Sequence, residues 1–167
     1  MSSESPLFKP LQIRGLSLPN RLVISPMCQY SADDGLANDW HLAHLGKLAQ
    51  GGAAVVFTEA AAVQRRGRIT HGDLGIWTDA QAQALAGIAR FISSMGSVPA
   101  IQLAHAGRKA SMQRPWHGNG PLDDSDRARG DEPWPVVGPS AIALGEGWLV
   151  PSEMTPAEIA QVVEDFA

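Results

Sequence analysis

TDAQAQALAGIARFISSMGSVPAIQLAH, Thr78 to His105, holds the change of pattern that decides the fold. Thr78 is placed to cap a helix over DAQAQALAGIARFISSM, and Gly96 is placed to stop it. The next residues, SVPAIQLAH, read as a strand. Upstream the same order recurs. Ala53 to Thr58 (AAVVFT) is a strand, and Trp40 to Gln50 (WHLAHLGKLAQ) has helical spacing, with Asn38 or Asp39 as N-cap and Gly51-Gly52 as the stop. Before it, Arg21 to Ser25 (RLVIS) is a continuous apolar strand. A repeat of about 45 residues matches βα units, and unbroken apolar strands indicate parallel strands buried on both faces.

The flanks are different. Phe8 to Pro19, within LFKPLQIRGLSLPN, alternates apolar and polar residues around Gly15 and predicts a short hairpin laid across the start of the fold. Gly107 to Pro151 is polar and rich in Gly, Pro, Asp and Arg. It is too long for an ordinary connection, and such loops are functional or disordered. Thr155-Pro156-Ala157-Glu158 then starts a helix, with Thr155 as N-cap, proline at the first helical position and Glu158 three residues after the cap. This helix is expected to run to Ala167, so that the chain ends inside an element.

At 167 residues and 44% hydrophobic, the chain can bury a core, and one domain is expected. A net charge of -4 without long runs of like charge gives no electrostatic footprint for nucleic acid or an anionic membrane, so a small-molecule partner is expected. No apolar run approaches the roughly 20 residues of a membrane helix, and MSSESPLFKP lacks the basic and apolar regions of a signal peptide. The expectation is a soluble, cytoplasmic protein. A single cysteine, Cys28, makes no intramolecular disulfide and is either an inert buried thiol or a functional one.

In a (β/α)8 barrel the active site lies at the C-terminal ends of the strands. Here those ends are Ser25-Pro26-Met27-Cys28-Gln29-Tyr30, Thr58-Glu59-Ala60, and Gln102 with His105, followed by Ala106-Gly107-Arg108-Lys109. They offer a polarizable thiol, a phenol, an amide that both donates and accepts, an imidazole and two cations. An amide beside the small Ala60 suits a planar heterocycle with imide edges. His41 and His44, three apart on one helix face, have zinc-ligand spacing but no clear third ligand. A metal-dependent barrel hydrolase using His41, His44 and His105 is the alternative they raise, and helix packing or capping is the simpler role.

Several blocks in order resemble the old yellow enzyme family of FMN-dependent ene-reductases, in the cysteine-containing branch similar to bacterial xenobiotic reductases. The blocks are LFKPLQIRGLSLPNRLVISPMCQYS, DWHLAHLGKLAQGGAAVVFTEAAAV, GRITHGDLGIW, and IQLAHAGRKAS followed by RPW and PSAIA. The resemblance implies an α/β fold, a (β/α)8 TIM barrel, of which residues 1–167 supply the N-terminal hairpin and about three βα units. It implies FMN as cofactor, NADPH or NADH as reductant, and reduction of activated C=C bonds in α,β-unsaturated carbonyl or nitro compounds. By the same resemblance, Ser25, Pro26 and Met27 line the flavin through their backbone. Cys28 tunes its potential and touches substrate, Tyr30 reaches toward substrate, Ala60 packs on the ring, and Gln102 bonds its pyrimidine edge.

A complete barrel takes about 250 residues. The resemblance places the family's His/His or His/Asn pair for the substrate carbonyl, its proton-donating tyrosine, its flavin-facing arginine and its phosphate cradle outside this sequence. The expected partners are therefore a complementary C-terminal half or a second copy that closes the open sheet edges. The competing expectation is a non-catalytic half-barrel or split subunit that retains the flavin-wall motifs.

Overall fold

The computed structural model describes residues 5–167, so the first four residues of MSSESPLFKP lie outside the described residues. The hairpin forms as read. β1 (Leu11–Ile13) pairs antiparallel with β2 (Leu16–Leu18), and Arg14 takes the left-handed conformation in the turn, φ 51°. Leu18 is fully buried against Ala54 and Val55, which seats the hairpin under the first residues of the main sheet.

RLVIS yields only a two-residue strand, β3 (Val23–Ile24). Its ladder is short for two reasons. The Asn20 side chain accepts the Leu22 N–H at 2.9 Å and donates to the Gly52 carbonyl at 2.8 Å, and Pro26 has no N–H to continue the pairing. Val23 is exposed, so the expectation of burial on both faces fails here. Among the described residues β3 has β4 as its only strand neighbour.

α1 (Asp39–Gln50) is capped by Asn38, with His41 completing a capping box, and it stops at Gly51. β4 (Val55–Ala62) is the centre of the sheet. It runs parallel to β3 and to β5 (Leu74–Gly75) along one edge, and to β6 (Val98–Ala104) along the other. β4 extends four residues past AAVVFT because the charged residue that interrupts the apolar run, Glu59, is itself paired. β5 was not legible as a strand. α2 (Asp79–Ser94) begins at Thr78 with Gln81 in its capping box, and Gly96, at φ 82°, turns the chain into β6. Leu45 and Ala49 of α1, Val56 of β4, and Ile88 and Ile92 of α2 form the main core.

The β4–β6 ladder contains a bulge. Phe57 opposes Ala100 and Ala60 opposes Gln102, so Thr58 and Glu59 share the place opposite Ile101. Its effect is visible in the packing. Val56 and Ala61 both meet α2, through Ile88 with Ile92 and through Leu85 respectively, although strict alternation puts residues five apart on opposite faces. The extra residue resets the alternation, and Ala60 lies on the face away from α2. Gln102 is on that same face, two and four residues along from Ala100 and Val98, which pack near Leu18.

β6 departs from the expected double burial, because Ile101 and Leu103 are exposed and β4 is its only strand neighbour among the described residues. The stretch 107–151 is built rather than disordered. It carries α3 (Asp124–Ala128) and β7 (Val137–Gly138), and the latter pairs parallel with β8 (Ser152–Glu153). Asp126, fully buried, accepts from the Gln113 amide at 2.7 Å and the Asp123 N–H at 2.9 Å. α4 (Pro156–Asp165) starts at Thr155 with the Glu158 capping box as read, and ends two residues before Ala167. None of its residues is fully buried, and Ile159, Val163 and Phe166 are exposed. No described helix is long and apolar enough to cross a membrane.

The contrast between these layers is measurable by urea unfolding. Ile92→Ala, at a site 1% exposed, is expected to cost about 2–5 kcal/mol. Val163→Ala, at a site 63% exposed, is expected to change stability by no more than about 0.5 kcal/mol.

Candidate active site at the strand ends

The chain after β3 turns sharply over the end of β4. Tyr30 occupies the left-handed region, φ 53°, and Gly72 makes this turn possible: a Cβ there would stand 2.2 Å from the Tyr30 carbonyl oxygen. The Gly72 carbonyl in turn accepts the Ala32 N–H at 2.9 Å. Along the turn exposure alternates. Ser25 and Met27 face outward, whereas Pro26, Cys28 and Tyr30 are half-buried.

The thiol of Cys28 lies near the backbone N–H of Ala60 and the Tyr30 hydroxyl, and both favour its charged form. Burial pushes the thiol pKa up, and the Asp73 and Glu59 carboxylates push the same way against the nearby Ala60 N–H and Tyr30 hydroxyl. Tyr30 is pushed up to about 12, first by burial and then by Cys28 and Asp73, so its phenol stays protonated at neutral pH. The edge of Trp116 meets its ring, with centroids 5.8 Å apart at 79°. Ala60 and Gln102 are direct neighbours across the β4–β6 ladder. The structure therefore brings Cys28, Tyr30, Ala60 and Gln102 to one rim. The exposed Gln102 side chain has no hydrogen-bond partner among the described residues. A flat alanine floor, a thiol at its margin and a free amide fit a planar heterocycle with donor and acceptor edges.

Other residues hold this rim. Asp73 accepts from the Ile69 N–H at 2.7 Å, the Thr70 N–H at 3.2 Å and the Thr70 hydroxyl at 2.8 Å, which fixes the segment that carries Gly72. Arg68 is buried between Trp77 and Trp134, 5.5 and 5.2 Å from the ring centroids, and bonds Asp34 at 3.0 Å. His105 accepts the Gly107 N–H at its Nδ1, so Nε2 donates to Gln64 at 3.1 Å. That contact ties the ends of β4 and β6 together and gives His105 a bridging role. Arg108 is exposed. His41 sits in the α1 capping box and faces Glu59 at 3.2 Å. The described residues contain no group of three or more His, Cys, Asp or Glu side chains placed to hold a metal, so His41, His44 and His105 do not form one site.

The sequence places Glu59 at a strand end without a role and gives Asp73 no place in the site. The signal for Glu59 was a charged residue inside an apolar strand, which demands a buried partner. Asp73 had only a local signal, Thr70 three residues before it, and its partners lie on a loop whose path depends on tertiary contacts.

Known proteins share this fold and much of this sequence. The profile of the NADH:flavin oxidoreductase / NADH oxidase family matches residues 6–167, and the chain belongs to that family. It is 44% identical over 166 residues to an NADH:flavin oxidoreductase of Gibberella zeae, covering 99% of this chain and 40% of that one. It is 42% identical over 164 residues to an NADPH dehydrogenase of Listeria welshimeri, covering 97% and 43%. Among solved structures it resembles morphinone reductase in complex with tetrahydroNAD, with a TM-score of 0.74 and 26% identity, covering 98% and 44%. It also resembles the old yellow enzyme of a Pichia species, with a TM-score of 0.78 and 25% identity, covering 98% and 41%. The chain thus spans less than half the length of the relatives it matches, and its architecture is part of a (β/α)8 barrel.

Asp73 gives the site a pH signature. Burial outweighs its three hydrogen bonds and raises its pKa from 3.8 to about 6. A carboxyl raised on folding holds its proton more tightly in the folded than in the unfolded chain. Its contribution to stability therefore grows as pH falls from about 6 toward 3.8 and is lost as pH rises through 6. Thermal unfolding of wild type and Asp73→Asn across this range should show the wild type gaining relative to the variant on acidification. A difference that does not vary with pH excludes the raised pKa.

Proposed function

We propose that residues 1–167 are the N-terminal portion of a single FMN-binding TIM-barrel domain. Its protein is an FMN-dependent NAD(P)H oxidoreductase, an ene-reductase, that reduces activated C=C bonds of α,β-unsaturated carbonyl or nitro compounds. The observation that carries this reading is the rim itself: Cys28 beside Ala60, and Ala60 beside an unpartnered Gln102, within a chain of the flavin oxidoreductase family.

FMN, when bound, supplies hydride transfer from the nicotinamide reductant, NADPH or NADH, to the substrate. This chain's residues prepare the place. The backbone of Ser25, Pro26 and Met27 would line one wall, Ala60 would form the floor, and Gln102 would offer both donor and acceptor to the edge of the heterocycle. A donor on that edge favours negative charge there, and the Gln102 amide is free to supply it to the reduced cofactor. Cys28 contributes a protonated, polarizable group near the reacting edge. Tyr30, held protonated by its surroundings, donates a hydrogen bond toward substrate and keeps its own proton.

The ribityl phosphate and the carbonyl of the substrate need groups beyond these. We assign them to a C-terminal complement that pairs with the open edges of β3 and β6 and covers the exposed Ile101 and Leu103. A second copy of the chain is the other candidate. The same open edges support a second reading, a half-barrel that keeps the flavin wall without turnover. The single unpaired cysteine is in keeping with a cytoplasmic location.

The visible spectrum of the chain after gel filtration, with intact mass taken on the same peak, tests the reading. Flavin absorbance on the chain alone or in self-assembly supports a cofactor site built without a complement. Flavin that appears only with a second polypeptide supports the complement, and no flavin under either condition overturns the proposal. In a flavin-loaded assembly, Gln102→Ala is expected to weaken FMN by roughly tenfold, the scale of one hydrogen bond to a charged group, whereas Cys28→Ala leaves FMN bound and shifts its reduction potential.

A further inference from the structure

His41 and Glu59 form the most deeply buried ionisable contact of the molecule's rim, and nothing in the proposed chemistry uses it. Each side chain is 1% exposed, and Nε2 lies 3.2 Å from Oε1. His41 Nδ1 accepts the Asn38 N–H at 3.1 Å, which leaves Nε2 as the protonated ring nitrogen beside the carboxylate. Neither Nε2 nor Oε1 has a hydrogen-bond partner, so the two meet only as a close buried contact. A carboxylate is costly to bury, and an apolar pair of equal volume would fill the same space at least as well. The second oxygen shows what the arrangement holds in place: Oε2 accepts the Gln29 N–H at 2.8 Å.

Gln29 stands between Cys28 and Tyr30, and every polar group of it is held. Its side chain donates to the Met27 carbonyl at 2.9 Å and accepts from the Trp40 indole at 3.3 Å, and its carbonyl accepts the Ser31 hydroxyl at 2.9 Å. The Asn38 side chain donates to the Ser31 carbonyl at 2.7 Å. The first turn of α1 therefore grips this stretch from one side and β4 from the other. Glu59 is available for the task because the β4 bulge takes it out of the regular alternation one residue before Ala60.

We propose that Glu59, oriented by His41, is a positioning residue that clamps the Gln29 N–H and thereby sets where the Cys28 thiol and the Tyr30 hydroxyl stand over Ala60. Its consequence for catalysis rests on the flavin reading above, whereas the clamp itself is a property of this chain. The groups that face the thiol are Tyr30, the Ala60 N–H, Asp73 and Glu59, and the Glu59 charge disfavours the thiolate.

The test uses the 167-residue chain without flavin, so that failure of FMN to bind overturns the functional reading and leaves this result to be judged separately. Hydrogen exchange of the Gln29 amide is followed by NMR, and the rate of Cys28 alkylation by iodoacetamide is followed as a function of pH. In wild type the Gln29 amide is expected to be protected. Glu59→Gln sets an amide against the His41 donor and removes the charge. Gln29 should then exchange on the order of tenfold faster, and the alkylation midpoint should move to lower pH, with α2 amides unchanged. The double variant His41→Leu with Glu59→Leu replaces the pair by apolar groups and keeps the fold if Glu59→Gln does not. It should show the same loss at Gln29. An unprotected Gln29 amide in wild type overturns the proposal, as does a folded variant in which both Gln29 exchange and the Cys28 profile match wild type.

Discussion

One extra residue in β4, opposite Ile101, decides which side chains meet at the end of this sheet. Bulges are uncommon in parallel ladders, and this one stands where the strand passes from core to site. Below it, Val56 faces α2 in the ordinary alternation. Above it, Ala61 faces α2 again, and Ala60 is returned to the face it shares with Gln102. Without the bulge the small floor residue and the amide on β6 fall on opposite sides of the sheet. The residue given up by the alternation is Glu59, whose carboxylate reaches both α1 and the turn after β3. Core, floor and cysteine turn are thus set by one local irregularity.

Around that point the polar groups divide by cost. Carboxylates at the surface, such as Asp34 with Arg65, are held by exposed ion pairs that contribute little to stability. Glu59 and Asp73 are buried, Asp73 with three accepted hydrogen bonds and Glu59 with one beside its His41 contact, so they specify geometry more than they stabilise the fold. Both act on the same short turn. Asp73 holds the loop that brings Gly72 under Tyr30, and Glu59 holds the Gln29 N–H one residue away. The long excursion from Gly107 to Pro151 adds the outer layer, with Trp116 against Tyr30 and the Trp134 indole donating to the Arg66 carbonyl at 3.0 Å.

The unfinished parts of the structure follow the same logic. β3 and β6 each have one strand neighbour among the described residues, and exposed apolar residues mark the surfaces that further βα units cover in a complete barrel. α4 has a full capping box and an apolar stripe but no fully buried residue. A helix with strong local signals and no packed face is stable only to the extent that propensity and capping allow, which is little for ten residues.

Periodicity and capping chemistry were legible in the sequence because they are local. Thr78, Asn38 and Thr155 each cap the helix they precede, and the Gly15 and Gly96 turns fall where the pattern changes. The motif SPMCQY marked the rim by its place after a strand. What the sequence could not carry was anything set by long-range contact: the shortness of β3, decided by Asn20 and Gly52; the strand β5; the exposure of β6; and the roles of Glu59 and Asp73. An alternation shifted by one residue leaves no trace in composition, since the same residues sit on either face until a neighbouring strand fixes the register. Only the tertiary structure, by pairing Ala60 with Gln102 and Glu59 with His41, decided which of the candidate residues share a site.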